Sequence, residues 1–190
     1  MTFKVTSEPA CEPIATEDAK LHLRVDLPDE DHLIDAAVMA ARTYAENFMR
    51  RKLITQTVQF TMTGFCGPTV ELPLAPIQSI TSVQYVDSAG TLQTLDAADY
   101  QLVNSVFPAR LAPAYGLTWP VVRADYDSVI ITAVVGYGDD ADTIPGDIMA
   151  ALRLLLGHFY ENRQNELAGT IVSKVTLSAE RLMQPHVLYV

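Results

Sequence analysis

The clearest pattern in the sequence is a run of apolar residues spaced three and four positions apart between Asp29 and Arg51. This spacing places one continuous apolar stripe on a helix, so it predicts a long amphipathic helix over about residues 29–51. Acidic residues crowd the predicted start and basic residues the predicted end, as the helix dipole favours. The stripe is formed by Leu33, Ile34, Ala37, Val38, Ala41, Tyr44, Ala45, Phe48 and Met49.

Two more helices are predicted, one before and one after this stripe. Thr16 is expected to cap a short helix over about residues 16–25, because acidic residues follow it and Pro28 lies beyond its end. A second long helix is expected over about residues 145–165, where Pro145 occupies a first-turn position that tolerates its missing N–H. Both long helices have broad apolar faces, so we expect them to pack together.

Between the long helices, apolar and polar residues alternate instead, which is typical of half-buried strands. The turn at residues 87–90 is expected to join two strands into a hairpin. The stretch 107–120 is expected to be a long ordered loop, anchored by apolar side chains that include Trp119. Strands are predicted over residues 54–62, 69–72, 79–86, 91–95, 100–104 and 129–135.

Together these elements predict an α+β fold. It is a helical bundle built from the N-terminal helices and a long C-terminal helix, with an inserted, mostly antiparallel β-sheet region over about residues 53–136. We expect a single domain over residues 1–170 and a C-terminal arm over residues 171–190. The weak pattern of the arm is compatible with either an extended segment or an ordered cap over the core.

Composition and charge narrow the functional classes. With 49% apolar residues, the 190-residue chain can build a core without disulfides or metals. Residues 53–145 contain 9 acidic and 2 basic side chains, and the whole chain has a net charge of -10. A segment with so few bases cannot displace the counterions of DNA. This excludes a protein that binds the phosphate backbone tightly. No apolar run of signal-peptide or membrane-spanning length occurs, so we expect no membrane association.

The sequence contains no specific catalytic signature, and we assign no catalytic residue, metal site or cofactor. GxSxG, P-loop, GxGxxG and HExxH motifs are all missing. His158 and Glu161 share a helical face, but an isolated pair of this kind is usually structural. The acidic turn at 139–142 could gather a cation, although a solvated turn is favoured. Cys11 and Cys66 have no metal-ligand spacing, which favours free thiols in a reducing compartment.

Several motifs in a fixed order resemble one known family. The most distinctive is Leu72-Pro-Leu-Ala-Pro76-Ile-Gln-Ser-Ile-Thr-Ser-Val-Gln-Tyr85-Val-Asp87-Ser-Ala-Gly90. The others are Ala19-Lys-Leu-His-Leu-Arg24-Val, Asp31-His-Leu-Ile-Asp-Ala-Ala-Val, Arg42-Thr-Tyr-Ala-Glu46, Trp119-Pro120, Val135-Gly-Tyr-Gly138, Ile144-Pro145 and His158-Phe-Tyr-Glu-Asn-Arg163. Over about residues 14–165 the chain resembles the head-tail connector (adaptor) proteins of long-tailed bacteriophages, prophages and gene transfer particles.

This resemblance implies a structural role without catalysis. Such proteins form a ring, commonly dodecameric, below the portal and continue the DNA channel toward the tail. The implied partners are the portal protein, a downstream head-completion (stopper) or tail protein, and further copies of the chain. DNA is expected to pass through the channel without specific binding, helped by repulsion from the acidic middle of the chain. The implied location is the bacterial host cytoplasm during assembly and the neck of the particle afterwards.

Two sets of residues are candidates for contacts in such a ring. Oppositely charged helix ends could meet between neighbours, because a ring needs one patch to meet a different patch. The arm could dock on the portal, although a tail packed on its own core is equally compatible with the pattern. The candidate subunit-interface residues are Asp29, Glu30, Asp31, Arg50, Arg51 and Lys52. The candidate portal-docking residues are Leu177, Leu182, Met183, Leu188 and Tyr189.

Two alternatives come from other functional classes. One is a small metal-dependent hydrolase that uses His158, Glu161 and the acidic turn at 139–142. The other is a monomeric binding module of a tail or baseplate, which differs from a connector in its partner and stoichiometry. Tyr115, Trp119 and Tyr137 could line a pocket, although anchoring a long loop is the more common role for such side chains.

Overall fold

The structure is a computed structural model that describes residues 1–162 and 172–189. The described chain divides into two compact units. A helical unit comprises Pro9–Ile54 and Tyr137–Val187, and a sheet unit comprises Met1–Glu8, Thr55–Gly136 and the residues from Leu188. Helices and antiparallel sheets are both present, which confirms the predicted α+β class. The expectation of a single domain followed by an arm stays a prediction.

The described residues of the helical unit form four α-helices. They are α1 (Thr16–Leu23), α2 (Asp31–Met49), α3 (Gly146–Glu161) and α4 (Val172–Met183). Short 3-10 turns occupy Pro28–Glu30, Ala141–Thr143 and Gln184–His186. No helix in the described ranges is both long enough and apolar enough to cross a membrane.

The apolar stripe of α2 packs on α3, as predicted. Fully buried residues of α2, such as Ile34 and Met49, share one core with Leu152 and Leu155 of α3. The short side chain of Ala41 lies in the same core, and alanines of this kind let helices approach closely. The α4 helix, which the sequence pattern did not identify, adds Met183 to this core.

The helix ends differ from the predictions in detail. Ala15, not Thr16, is the N-cap of α1, because the Thr16 hydroxyl donates instead to Asp35 Oδ1 at 2.7 Å. Arg24 and Arg50 adopt left-handed backbone conformations with φ of 60° and 54°, so α1 and α2 end two residues earlier than predicted. The predicted end of the last long helix at residue 165 lies outside the described residues, and α3 ends at Glu161.

Where it is described, the sheet unit has eight strands in two antiparallel sheets, which confirms the expected mostly antiparallel pairing. The strands are β1 (Thr2–Ser7), β2 (Gln56–Met62), β3 (Val70–Glu71), β4 (Ile77–Val86), β5 (Leu92–Thr94), β6 (Tyr100–Val103), β7 (Arg110–Pro113) and β8 (Val129–Val135). The first sheet has the order β1-β2-β8-β4-β5, and the second has the order β3-β7-β6.

The core of the sheet unit follows from strict alternation in the two central strands. Val58, Phe60 and Met62 of β2 are buried, and in register Phe60 lies opposite Ile131 of β8. Residues of the second sheet, such as Leu111, complete the same core. The positions between the buried ones are half-buried in both strands, as expected for strands with one face in a core.

Two strands of this unit were not predicted. β7 lies within the stretch that was expected to be a loop, where it pairs with both β3 and β6. The prolines in this stretch favour a loop over a strand in the sequence pattern. Pro113 is nevertheless tolerated, because it occupies the last position of the strand. β1 is mostly exposed and pairs with β2 along one edge, so its residues carry little apolar signal. The predicted hairpin is confirmed, with Gly90 at φ +87° in the turn between β4 and β5.

Candidate subunit contacts and the C-terminal segment

The acidic start of α2 is engaged within the helical unit. Asp31 Oδ1 lies 2.7 Å from Lys20 Nζ, and the lysine side chain is 11% exposed. The hydrogen bond to Asp31 is also the main cause of the raised pKa of Lys20. Glu30 accepts a hydrogen bond from the Tyr160 hydroxyl. Asp29, in the preceding 3-10 turn, is exposed.

The basic end of α2 is engaged in the same way. Arg51 Nε donates to the backbone carbonyl of His186 at 2.5 Å. Lys52 Nζ lies 2.7 Å from Glu46 Oε2, and the Glu46 side chain is only 3% exposed. Glu46 Oε1 also accepts from the backbone N–H of Leu53 at 3.1 Å, so this carboxylate closes the turn after the helix. Arg50 is exposed.

A buried arginine extends this charged group toward the N-terminal segment. Arg42 Nε donates to Glu12 Oε2 at 2.8 Å, and Arg42 NH1 lies 3.7 Å from Glu46 Oε2. The Arg42 side chain is 9% exposed, so its charge requires these carboxylates. Four of the six helix-end residues thus have partners within their own unit, and Asp29 and Arg50 are the exposed pair.

The C-terminal candidates divide into buried and exposed residues. Met183 is fully buried and Leu182 half-buried against the helical core, whereas Leu177 is 46% exposed. Leu188 is buried and Tyr189 is 72% exposed. Of the two forms left open for the arm, the structure shows an ordered segment packed on its own unit over the described residues 172–187.

Two polar contacts hold this segment against the other helices. The Tyr44 hydroxyl of α2 donates to Glu180 Oε1 of α4 at 2.5 Å. Burial, with a contribution from Glu180, raises the pKa of Tyr44 to about 12. His186 Nε2 lies 2.7 Å from Asp147 Oδ2 at the start of α3. The hydrogen bond from His186 lowers the pKa of Asp147.

The residues of the hydrolase alternative do not converge. His158 Nδ1 is paired with the Asn162 amide at 3.0 Å, and Glu161 is exposed. In the acidic turn, the described hydrogen bonds of Asp139 and Asp140 use backbone carbonyls, which accept from Cys11 and Thr143. Over residues 1–162 and 172–189, no three His, Cys, Asp or Glu side chains are arranged to hold a metal ion. Both cysteines are free and exposed.

The three aromatic residues considered for a pocket belong to different units. Trp119 and Tyr115 line a groove of about 820 Å³ in the sheet unit, and Tyr137 belongs to the helical unit. Phe65, which the sequence did not single out, stacks on Trp119 with ring centroids 4.3 Å apart and planes at 3°. Because Phe65 follows β2 and Trp119 precedes β8, only the fold brings the two rings together.

Comparison with known proteins relates the chain to one family of phage proteins. The family model of the phage gp6-like head-tail connector protein matches residues 14–85. The resemblance to head-tail connectors is confirmed. The match ends within β4 and therefore includes α1, α2 and the first central strand of the sheet. No curated protein matches the chain.

Solved structures share the fold over the full chain. The neck of an empty GTA particle, computed with C6 symmetry, contains a chain that matches with a TM-score of 0.83 and 22% identity. The virion of a native gene transfer agent particle gives 0.84 and 22%, and the neck of a native GTA particle, computed with C12 symmetry, gives 0.82 and 21%. Each match covers 100% of this chain and 97% of the other. The chain has the fold of these particle proteins.

Proposed function

We propose that this protein is a structural head-tail connector of a tailed phage, prophage or gene transfer particle. The observation that carries the proposal is the coincidence of a connector family match with a fold shared, over its whole length, with neck chains of such particles. Both comparisons lead to structural proteins and not to enzymes. The protein acts in the neck of the particle, after assembly in the bacterial host cytoplasm.

In this proposal, copies of the chain form a ring beneath the portal. The C12 neck of the native particle supports a twelve-membered ring, and a closed ring requires a heterologous interface. The ring extends the DNA channel and passes it to a stopper or tail protein. DNA slides through without specific binding, because a chain with a net charge of -10 repels duplex phosphate.

The helix-end hypothesis is retained in a narrower form. Because Glu30, Asp31, Arg51 and Lys52 have partners within the helical unit, Asp29 and Arg50 are the residues proposed to meet between neighbouring copies. Both side chains are exposed. An exposed ion pair of this kind contributes little affinity, about 1 kcal/mol or less, so it would set the register of the ring more than its stability.

The portal contact is proposed for the exposed part of the C-terminal segment. Leu177 and Tyr189 present apolar surface to solvent, whereas Leu182, Met183 and Leu188 serve packing within the chain. Deleting the whole segment would also remove the buried Met183. A loss of portal binding could then result from unfolding and not from a lost contact. The sharper variant is Leu177→Asp with Tyr189→Asp, which is expected to abolish portal binding and leave the thermal unfolding midpoint unchanged.

Native mass spectrometry across protein concentration, with and without purified portal, tests the proposed function. A ring, formed alone or only with portal, is the expected result. A monomer that ignores the portal would contradict the proposal and favour the monomeric tail or baseplate module. His158→Ala is a parallel check on the hydrolase alternative, since in a connector it changes stability at most.

A further inference from the structure

The groove in the sheet unit is an uncharged surface on an acidic protein. Its floor is the stacked pair Phe65 and Trp119, and its walls come from the loop after β7, including Tyr115 and Leu117. None of the residues lining it is an Asp, Glu, Lys or Arg. The Trp119 indole N–H is buried and has no hydrogen-bond acceptor among the described residues. The uncharged lining suits an occupant with apolar side chains, and the unpaired indole N–H leaves a place for one hydrogen-bond acceptor beside them.

The loop that forms the groove is ordered and yet exposes large apolar side chains. Its backbone is fixed at both ends, by the Ala114 N–H to the Asp99 carbonyl at 2.8 Å and by the Arg123 N–H to the Val86 carbonyl at 2.9 Å. Even so, Tyr115 is fully exposed and Val121 is 80% exposed. Clustered exposed apolar side chains on a soluble protein mark a surface that another protein covers.

The surroundings of the groove are acidic, which restricts the occupant further. Asp99 is bonded to the lining residue Ala114, and Asp125 directly follows the lining residue Ala124. Arg123, between the lining residues Val122 and Ala124, is within 3.8 Å of Asp125 and so compensates part of this charge. An occupant with apolar side chains at its centre and basic side chains beside them would match both features.

The helical unit carries a surface of this kind, which we call the leucine–arginine patch: Leu21, Arg24, Arg153 and Leu154. Leu21 is 76% exposed and Leu154 is 38% exposed. Both arginines are exposed, and neither takes part in an ion pair among the described residues. The imidazole of His22 bonds to the Arg153 carbonyl at 3.1 Å, which holds the end of α1 beside α3.

We propose that the leucine–arginine patch of one copy docks in the tryptophan groove of the next copy. The inference rests on the proposed ring and names its subunit interface. The leucines cover the uncharged groove, and the arginines face the acidic residues around it. Because the two surfaces are different parts of one chain, each copy offers one of each, and repetition of the contact gives a head-to-tail chain that can close into a ring.

Two single variants and their mixture test the contact by native mass spectrometry. Leu21→Glu places a charge on the patch, and Tyr115→Glu places one on the groove. Each residue is more than two-thirds exposed, so both variants should keep the wild-type circular dichroism spectrum and unfolding midpoint. Neither is expected to form the ring, and the concentration for half-assembly should rise at least about tenfold.

The mixture identifies a heterologous contact. The Leu21→Glu copy keeps an intact groove and the Tyr115→Glu copy keeps an intact patch, so an equal mixture is expected to give one-to-one heterodimers and no ring. Arg24→Glu should also weaken assembly, and Asp99→Arg in the same chain should restore it at least in part. Lys4→Glu is the charge-reversal control, because Lys4 is an exposed base on β1, outside both proposed surfaces.

The outcomes separate this proposal from the proposed function. If the wild-type chain forms a ring and both single variants form it equally well, the groove contact is wrong and the connector function stands. If Arg50→Glu abolishes the ring while Arg24→Glu does not, the helix-end contact replaces it. A wild-type chain that remains monomeric with and without portal overturns the ring itself, and this interface with it.

Discussion

The Tyr44 hydroxyl of α2 donates a hydrogen bond of 2.5 Å to Glu180 of α4, residues that are 136 positions apart in the chain. The contact joins the longest helix to the C-terminal helix within the helical unit. Tyr44 also lies edge-on to Phe159 of α3, with ring centroids 6.2 Å apart. One tyrosine thus connects three helices, and its protonated form is the one that can donate to the carboxylate.

We expect the helical unit to lose stability between about pH 10 and pH 12 because of Tyr44. Burial and Glu180 raise its pKa to about 12, above the ordinary value of 10.0. A raised pKa in the folded state contributes stability that is complete below the unfolded-state pKa and is lost as pH rises through the folded-state pKa. Urea unfolding at pH 9, 10 and 11 should show a declining free energy of unfolding.

Tyr44→Phe should reduce this alkaline slope, and Tyr126→Phe is the control because Tyr126 is 88% exposed. The tyrosinate absorbance of the wild-type chain should also contain a late-titrating component, and its amplitude should be smaller in Tyr44→Phe, where Tyr100 and Tyr137, whose pKa values are also raised by burial, remain. Equal slopes in the wild-type chain and Tyr44→Phe would contradict the assignment.

The second prediction concerns the ion pair between His186 and Asp147. The lowered pKa of Asp147 contributes stability that is present above its unfolded-state pKa and is lost as pH falls through the folded-state value. Asp147 is 42% exposed, so Asp147→Asn should cost less than about 1 kcal/mol globally at neutral pH. Hydrogen exchange in residues 184–189 should nevertheless accelerate.

Asp142→Asn is the matched control, since Asp142 is an exposed carboxylate a few residues before Asp147, ahead of the start of α3. It should leave hydrogen exchange at the C-terminus unchanged. If Asp147→Asn also left it unchanged, the His186 contact would not be what holds the C-terminal turn in place.

The part of the fold that the sequence predicts is the part with periodic burial. The apolar residues of α2 and of the strand β2 have a spacing that alone determines the buried face. α4 was missed because its apolar residues are scattered among polar ones, in a stretch bounded by Gly169 and Pro185 in the sequence. β1 was missed because it is an edge strand with mostly exposed residues, and its two apolar residues, Phe3 and Val5, are too few to indicate a buried face.

The partners of the charged helix ends could not be predicted for a different reason. A run of bases at a helix end fits the helix dipole whatever else it contacts. Arg51 in fact bonds to His186, which is 135 residues away, and Lys52 bonds to the carboxylate of Glu46, six residues before it. Only the tertiary fold distinguishes these engaged charges from the exposed Asp29 and Arg50.

The third prediction separates packing from docking in the C-terminal segment. Met183 is fully buried in the helical core, so Met183→Ala should lower the free energy of unfolding by about 3 kcal/mol. Leu177→Ala, on the exposed face of the same helix, should change it by less than about 0.5 kcal/mol. Denaturant titration of both variants gives the comparison, and similar losses would show that the segment is not packed as described.

The last prediction concerns Glu46, the buried carboxylate near the end of α2. It contacts Lys52 and Arg42 and accepts a hydrogen bond from the Leu53 N–H. Glu46→Ala removes all three interactions and leaves two largely buried cations short of a partner, so the free energy of unfolding should fall by about 3 kcal/mol. Glu46→Gln keeps an acceptor for the Leu53 N–H, so its free energy of unfolding should lie between those of Glu46→Ala and the wild-type chain.

Glu17→Ala is the control, because Glu17 is an exposed carboxylate on α1, and it should change the free energy of unfolding by less than about 0.5 kcal/mol. If Glu46→Ala matched Glu17→Ala in chemical denaturation, the buried charged group would not contribute to the stability of the helical unit.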